Sequence, residues 1–444
     1  MVQNDNNKQS FFDKFQIWMQ EKIVPVATKI GAQRHLSALR DGLTILVPFT
    51  IIGGLALMIA TPPVDLKTIK PDNFFNIFLI SWKHFADTYN TVLNIPYNLT
   101  IGIISIYVVL GVSYRLAQKY KMDAFTNSLT ALFTFFTISI VPDTIKNTKM
   151  ISLDSLGANS MFSAIIIALA VIEINKFLVE HNIRIKMPSG IPPMVAAPFE
   201  ILIPMITNMF VFMGINEILK ATIHSDITKL IFTIFQPVIH ATSSLPSMIF
   251  IVELTVIFWF FGIHGDNMVS FVTTPIFTGN LVANLDAYQK GQEIPNIVAG
   301  NFTFIFGLAI VYLAILFNMN VINKNKRLRA LGHMAIPSSL FNINEPLVFG
   351  VPTVLNVMTF IPSLICIPIN IAAAYILTDI GFIAKTTVSL PWTMPAPLYA
   401  ILSTMDWHAG LVWIVLLIIN IIIFIPFMKA YEKELDNEAI KDAM

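Results

Sequence analysis

The chain is expected to fold as an all-α, polytopic membrane protein with about ten transmembrane helices. The first observation behind this is composition: of 444 residues, 55% are hydrophobic and 12% charged, about half the charge of a soluble domain. The second is run length, since the apolar residues come in blocks of roughly 17–25, the length of helix that crosses a hydrocarbon core. A transmembrane barrel would instead show shorter, alternating segments of ~10 residues. The formal net charge of +1 supplies no basic field for nucleic acid. The one cysteine, Cys366, excludes an intrachain disulfide and a multi-cysteine metal site, and no other metal motif stands out. In the apolar run 364–368 it reads as a small core residue. No cleavable signal peptide is expected, because Lys14, Lys22, Lys29, Arg34 and Arg40 precede the first long apolar block near Leu43.

In chain order, residues 1–9 are polar and read as an unstructured tail. Over 11–23 the apolar residues fall on one helical stripe, opposite Asp13, Lys14, Gln20 and Lys22. That suits a helix lying on the membrane surface, or one packed on the soluble side. Spans follow near 42–60, 99–117, 124–141, 160–179 and 197–219, with an aromatic interfacial helix at 73–90. Basic loops at Arg115–Lys121 and Lys176–Lys186, together with the N-terminal segment, assign that side to the cytoplasm. The less apolar stretch 224–246 reads as a connector. Beyond it, spans are expected near 247–263, 301–318, 354–378 and 409–428. Between them, 264–283, 334–352 and 386–405 are apolar but broken by glycine and proline, the mark of re-entrant hairpins and a transporter site. The expected organisation is a cytoplasmic N-terminal segment with an amphipathic helix (1–40), a first membrane half (41–223), the connector (224–246), a second membrane half (247–430) and a cytoplasmic tail (431–444).

Two short motifs carry the chemistry. Phe-Gly-Ile-His-Gly at 261–265 and Asn-Ile-Asn-Glu-Pro-Leu-Val-Phe-Gly at 342–350 each set an ionisable side chain beside a helix breaker at membrane depth. A charge there costs roughly 2.5–3.5 kcal/mol on insertion scales and marks a functional site. Non-helical backbone at that depth must be buried in protein or line a polar cavity. His264 can donate to or accept from a hydroxyl, or simply tie down a helix end. Glu345 precedes Pro346, which disfavours αR geometry at 345; it reads as a site carboxylate, with capping of a broken helix as the alternative. Asn342 and Asn344 offer amide groups suited to sugar hydroxyls. Trp392 offers an aromatic face for a sugar ring, or packs. Asp406-Trp407-His408 reads as the cap of the last span. Glu253 lies eleven residues before His264, so on one helix both would share a face about 16 Å apart. No Walker A, dinucleotide or zinc-protease motif is present, and no cofactor is expected.

Phe-Gly-Ile-His-Gly followed by Asn-Glu-Pro-Leu-Val-Phe-Gly resembles the enzyme IIC permease subunit of the bacterial phosphoenolpyruvate-dependent sugar phosphotransferase system. Leu36-Ser-Ala-Leu-Arg-Asp-Gly42 and Pro188-Ser-Gly-Ile-Pro-Pro193 are similar to its lactose/cellobiose/diacetylchitobiose class, and the likeness runs from about residue 10 to 430. The resemblance implies a multi-pass protein of the bacterial cell membrane, with both termini cytoplasmic. It implies a homodimer joined through the N-terminal half, with a β-linked disaccharide held in the C-terminal half. It also implies the permease component of a protein-N(π)-phosphohistidine–sugar phosphotransferase, in which the sugar is phosphorylated at its 6-hydroxyl. The donor is then a phosphocysteine on a separate IIB subunit, itself charged by IIA. Glu345 and His264 would serve as catalytic residues, and Asn342, Asn344, Asn267 and Trp392 as sugar contacts. The residues alone also admit an ion-coupled secondary sugar transporter, using Glu345 or Glu253 as the ion site, and a non-transporting sugar sensor.

Overall fold

The computed structural model describes residues 33–62, 69–139, 153–188, 190–262, 264–350 and 355–442, with positions 21, 22, 25, 29 and 66; side chains at 75, 154, 193, 194, 345, 349, 350 and 438–442 fall outside that description. The surface helix expected over 11–23 therefore lies almost wholly outside the described residues.

The elements are helices. The first half contains α1 (Arg34–Ala60), α2 (Phe74–Thr88), α3 (Ile101–Lys119), α4 (Ala124–Ser139), α5 (Ala158–Glu180) and α6 (Val195–Ile223). Then come α7 (Ile227–Thr242), α8 (Leu245–Phe260), α9 (Gly265–Gln289) and α10 (Phe304–Ile322). The chain ends with α11 (Lys326–Ser339), α12 (Glu345–Gly350), α13 (Val357–Asp379), α14 (Ala396–Thr404) and α15 (Trp407–Asp442). Among the described residues eight helices are long and apolar enough to cross a membrane, and the α7–α8 pair, bent by 70°, makes a ninth. The expected number is about ten; helix α4, with 16 described residues, falls short of the length that would count it as a further span.

Two apolar cores organise the bundle. One is built from α1, α3, α4 and α5 around Leu43, Val112, Phe135 and Ile167. The other gathers α8, α10, α13, α14 and α15 around Phe260, Ile310, Ile367 and Phe424, and takes in the fully buried Cys366. Helix α9 joins them, with Ile276 and Phe277 in the second core and Leu281, Val282 and Leu285 in the first. Its buried polar groups are paired, as a dry interior requires. The Asn284 amide donates to the carbonyls of Asn296 (2.8 Å) and Thr386 (2.9 Å). Asn280 donates to Val298 O at 2.8 Å. Helix α2 is pinned across the end of α1 by the Trp82 indole, which donates to Ile59 O at 3.0 Å. Its Phe74, Phe78 and Phe85 stay exposed, which fits the interfacial position expected for 73–90.

The stretch 224–246 read as a connector is mostly helix, and α7 gives way to α8 at a Ser243–Ser244 bend before Pro246. Two expectations are revised. The segment 264–283 is no hairpin: α9 runs unbroken through Pro275, because a membrane helix tolerates proline where neighbours re-satisfy the freed carbonyl. Glu253 and His264 do not share a helix, since α8 stops at Phe260. The other two broken segments do form hairpins. Helices α11 and α12 meet at a turn, and an extended run before α14 folds back so that the N–H groups of Thr387 and Val388 donate to Ser403 O at 2.8 and 3.0 Å.

Asp406 opens α15 as expected. It accepts from His408 N at 3.0 Å and from Ala384 N at 2.9 Å, and His408 Nδ1 lies 2.7 Å away. Burial pushes the carboxyl up, but these donors outweigh it and hold it below the usual carboxylate range. Asp406→Ala should remove about 0.5–2 kcal/mol of stability, read as a lower thermal midpoint in detergent. Because the folded value is depressed, the loss should be full at neutral pH and shrink as acid carries the pH below the ordinary value of about 3.9.

Candidate functional site

The first motif sits where α8 gives way to α9. After Phe260 the chain turns through Gly262 at φ 74°, a region open to glycine without strain. His264 then stands in extended geometry as the N-cap of α9, its Nδ1 accepting from Asn267 N at 3.4 Å. The turn thus precedes the histidine, and Gly265 serves a different need. A Cβ at 265 would lie 2.2 Å from Thr255 O and 2.8 Å from Trp259 Cδ1, so only glycine lets α9 start against α8. That close approach brings Trp259 into the site: its ring rests on the His264 imidazole, centroids 4.4 Å apart. The indole N–H donates to Asp266 Oδ2 at 3.0 Å. Asp266 occupies the first turn of α9, where the helix dipole favours a negative charge.

The second motif turns at Asn342, whose φ of 63° is one that asparagine tolerates better than most side chains. The helix then begins at Glu345, contrary to the expectation that Pro346 would keep 345 out of αR geometry. Proline at the start of a helix is tolerated because the N–H it lacks would have no partner there. The Glu345 side chain lies outside the described residues. Asn342 Nδ2 donates to the carbonyls of Trp392 and Met394, each at 2.7 Å. Asn344 Nδ2 donates to Asn342 O at 3.0 Å. Both asparagines are buried, and Asn344 Oδ1 has no hydrogen-bond partner among the described residues. The chain beside the first motif meets the chain beyond the second: Leu355 N donates to Phe260 O at 2.8 Å, and the rings of Phe260 and Phe360 lie 4.2 Å apart.

Beside the first motif lies a cavity of about 290 Å³ bounded by α8, α9, the residues leading into α10 and the extended run 389–392, with α1 closing one side. This is close to the lower end of small-molecule sites, roughly 300–1,000 Å³. Asp266, Thr255, Ser270 and Asn301 supply polar groups, and Trp392 and Tyr399 supply aromatic ones. Asn301 Nδ2 donates to the Tyr399 hydroxyl at 3.2 Å, and Ser389 Oγ donates to Thr50 Oγ1 at 3.2 Å, tying the wall to α1. Of the residues singled out from sequence, Trp392 lines this cavity. Asn342 holds Trp392 in place from behind, and His264 and Asn267 are exposed at the α9 N-terminus. Asp266 and Trp259 escaped the sequence reading. An intramembrane carboxylate beside His264 was signal enough for Asp266, whereas nothing marked Trp259 among its apolar neighbours. Among the described residues no cluster of His, Cys, Asp or Glu could hold a metal ion.

An all-helical membrane bundle with a polar, aromatic-edged cavity where two cores meet defines a permease for a polar solute. The chain belongs to the phosphotransferase system EIIC family, whose model matches residues 40–366. It is similar to the lichenan permease IIC component of Bacillus subtilis (strain 168), with 31% identity over 94% of this chain and 93% of that protein. It is similar also to the cellobiose-specific EIIC component of Geobacillus stearothermophilus, with 30% identity and 95% of each chain covered. The lactose-specific EIICB component of Staphylococcus haemolyticus (strain JCSC1435) is 27% identical across 96% of this chain, which spans 72% of that longer protein. The fold matches the crystal structure of the transporter ChbC, the IIC component from the N,N'-diacetylchitobiose-specific phosphotransferase system. The TM-score is 0.85 at 29% identity, over 95% of this chain and 99% of that one.

Gly265→Ala should drive Trp259 off His264 and lower sugar affinity at least tenfold, in line with the ~1–3 kcal/mol typical of overpacking. Equilibrium binding with tryptophan fluorescence reads this. Gly307→Ala, where an added Cβ comes no closer than 3.5 Å to any neighbour, is the matched control and should behave as wild type.

Proposed function

We propose that the chain imports a β-linked disaccharide of the cellobiose, chitobiose or lactose type and presents its 6-hydroxyl for phosphorylation by a phosphocysteine on a separate IIB subunit. The observation that carries this reading is the cavity lined by Asp266, Asn301 and Trp392 beside the first motif. An aromatic face for the ring beside hydroxyl-pairing groups is the mix a neutral sugar demands. The kinds of sugar named for the relatives support the substrate class.

Phosphoryl transfer passes through a loose transition state, so this chain's work is to position and to balance charge. In the proposed step the 6-oxygen bonds to phosphorus as the cysteine sulfur–phosphorus bond breaks. Glu345 takes the hydroxyl proton within hydrogen-bond reach, and His264 holds the same oxygen or offsets charge on the phosphoryl group. Asn267 and the unpaired oxygen of Asn344 take other hydroxyls, while Asn342 steadies Trp392. Cys366, fully buried in the second core, cannot be the donor. Both termini face the cytoplasm of a bacterial cell, where IIA recharges IIB. Residues 41–223 form the half through which two copies pair, on which α6 leaves Phe210 and Ile218 exposed, and 247–430 form the half that holds sugar.

The test is uptake of a labelled disaccharide panel into vesicles holding phosphorylated IIB. The reading expects internal sugar 6-phosphate and indifference to uncouplers. Unmodified sugar accumulating on an ion gradient would show a secondary transporter instead, and binding without flux would show a sensor. Glu345→Gln should bind sugar yet lose phosphorylation by the 10²–10⁴-fold typical of a missing general base. Conversion at wild-type speed would refute its role. Cys366→Ala should retain uptake, and its loss would reopen the part played by that thiol.

A further inference from the structure

Helices α10 and α15 leave the apolar bundle side by side, and the character of their outer faces changes there within about two turns. On α15, Ile418, Ile422, Lys429 and Lys433 are all exposed. Their spacings of four, seven and four residues place them on one face of the helix. On α10, Phe317 and Val321 are exposed, and Lys324, also exposed, follows three residues later. The Asn323 amide donates to Met428 O at 2.9 Å, which sets the two points of change at one level. Two apolar stripes therefore run in parallel, and each ends in cations at the same height.

At that height lies a groove of about 620 Å³, whose walls carry Lys324, Lys326, Arg327, Lys429 and Lys433 against two acids, Glu432 and Asp436. Both acids are turned to the loop that joins α10 to α11. Glu432 accepts the backbone N–H of Lys324 and, at 2.5 Å, that of Asn325. Asp436 accepts from Asn325 Nδ2 at 2.6 Å. Glu434 is exposed but does not line the groove. Among the described residues none of the five cations is ion-paired. The groove therefore carries an excess of positive charge at the mouth of an apolar surface, a combination matched by an amphiphile with an anionic head.

We infer that this groove is a binding site for an anionic phospholipid. The phosphate diester lies among the lysines, with the planar guanidinium of Arg327 suited to a two-point contact. The acyl chains run along Phe317, Val321, Ile418 and Ile422. A docked phosphoprotein would use the cations and leave the apolar stripes without a role. Lys326 and Arg327 open α11, whose far end leads into the turn at Asn342, so the head group braces the base of that hairpin against α15. In the orientation proposed above the lipid belongs to the cytoplasmic leaflet, whose negative surface attracts basic residues beside a span. The site itself does not depend on which solute is carried.

The test titrates full-length protein in neutral detergent with phosphatidylglycerol, with phosphatidylcholine and with water-soluble glycerol 3-phosphate. Retained lipid is counted by native mass spectrometry, and the thermal midpoint is followed alongside. Phosphatidylglycerol should bind about tenfold or more tightly than phosphatidylcholine, from the attraction that several basic residues add together. It should raise the midpoint, as any ligand of the folded state does, and added salt should narrow the gap between the lipids. Lys429→Gln combined with Lys433→Gln should erase most of the preference, whereas Lys429→Arg combined with Lys433→Arg should keep it. If the glutamine pair does not fold, Lys433→Gln alone carries the same test at smaller amplitude. Wild-type affinities for the two lipids within twofold of each other would overturn the inference. Glycerol 3-phosphate raising the midpoint as far as the lipid does would show a site for a free anion and overturn it too. A glutamine pair that kept the lipid preference but lost phosphoryl transfer from IIB would make the groove a protein dock, and the lipid assignment would fall.

Discussion

Everything at the site depends on how a chain inside an apolar bundle satisfies the backbone it exposes when it stops being helical. Water is scarce there, and each orphaned amide or carbonyl costs several kcal/mol. The solution is exchange between breaks. Leu355 N serves Phe260 O, and the Asn342 amide serves the carbonyls of Trp392 and Met394. The N–H groups of Thr387 and Val388 share Ser403 O. Three interruptions far apart in sequence thus become one polar seam, and the cavity opens beside it because that is where side chains can be polar at no further cost.

The same reasoning explains α9. A helix that begins in one apolar core and ends in the other must carry polar residues through the boundary between them. Asn280 and Asn284 do so with their amides committed to the carbonyls of Val298, Asn296 and Thr386. Those bonds fix the register of α9 against the extended run 386–395, and therefore the distance between Asp266 at its head and Trp392 across the cavity. Aromatic and carboxylate reach the cavity from different elements, held by bonds made outside it.

Electrostatically the site is sparse. The described part of the cavity has one carboxylate, with an imidazole two residues away and a tryptophan that meets the imidazole ring and donates to the carboxylate.

Composition and run length alone determined that this is a helical membrane protein, because a helix is the way a single segment satisfies its backbone in lipid. The pairing of a charge with a breaker likewise marked 261–265 and 342–350 before any geometry was known. Tertiary structure decided the rest. Asparagines 342 and 344, read as sugar ligands, have their amides committed to carbonyls, because partners for a turn's backbone come from segments distant in the chain. Gly265 read as a helix breaker but proved a contact point, since only the packing of α9 on α8 shows that Thr255 O leaves no room for a Cβ. Trp259 looked like one more apolar residue in its span until the fold set its indole against Asp266. Local patterns report what a segment buries, whereas which groups face one another depends on how the segments are placed.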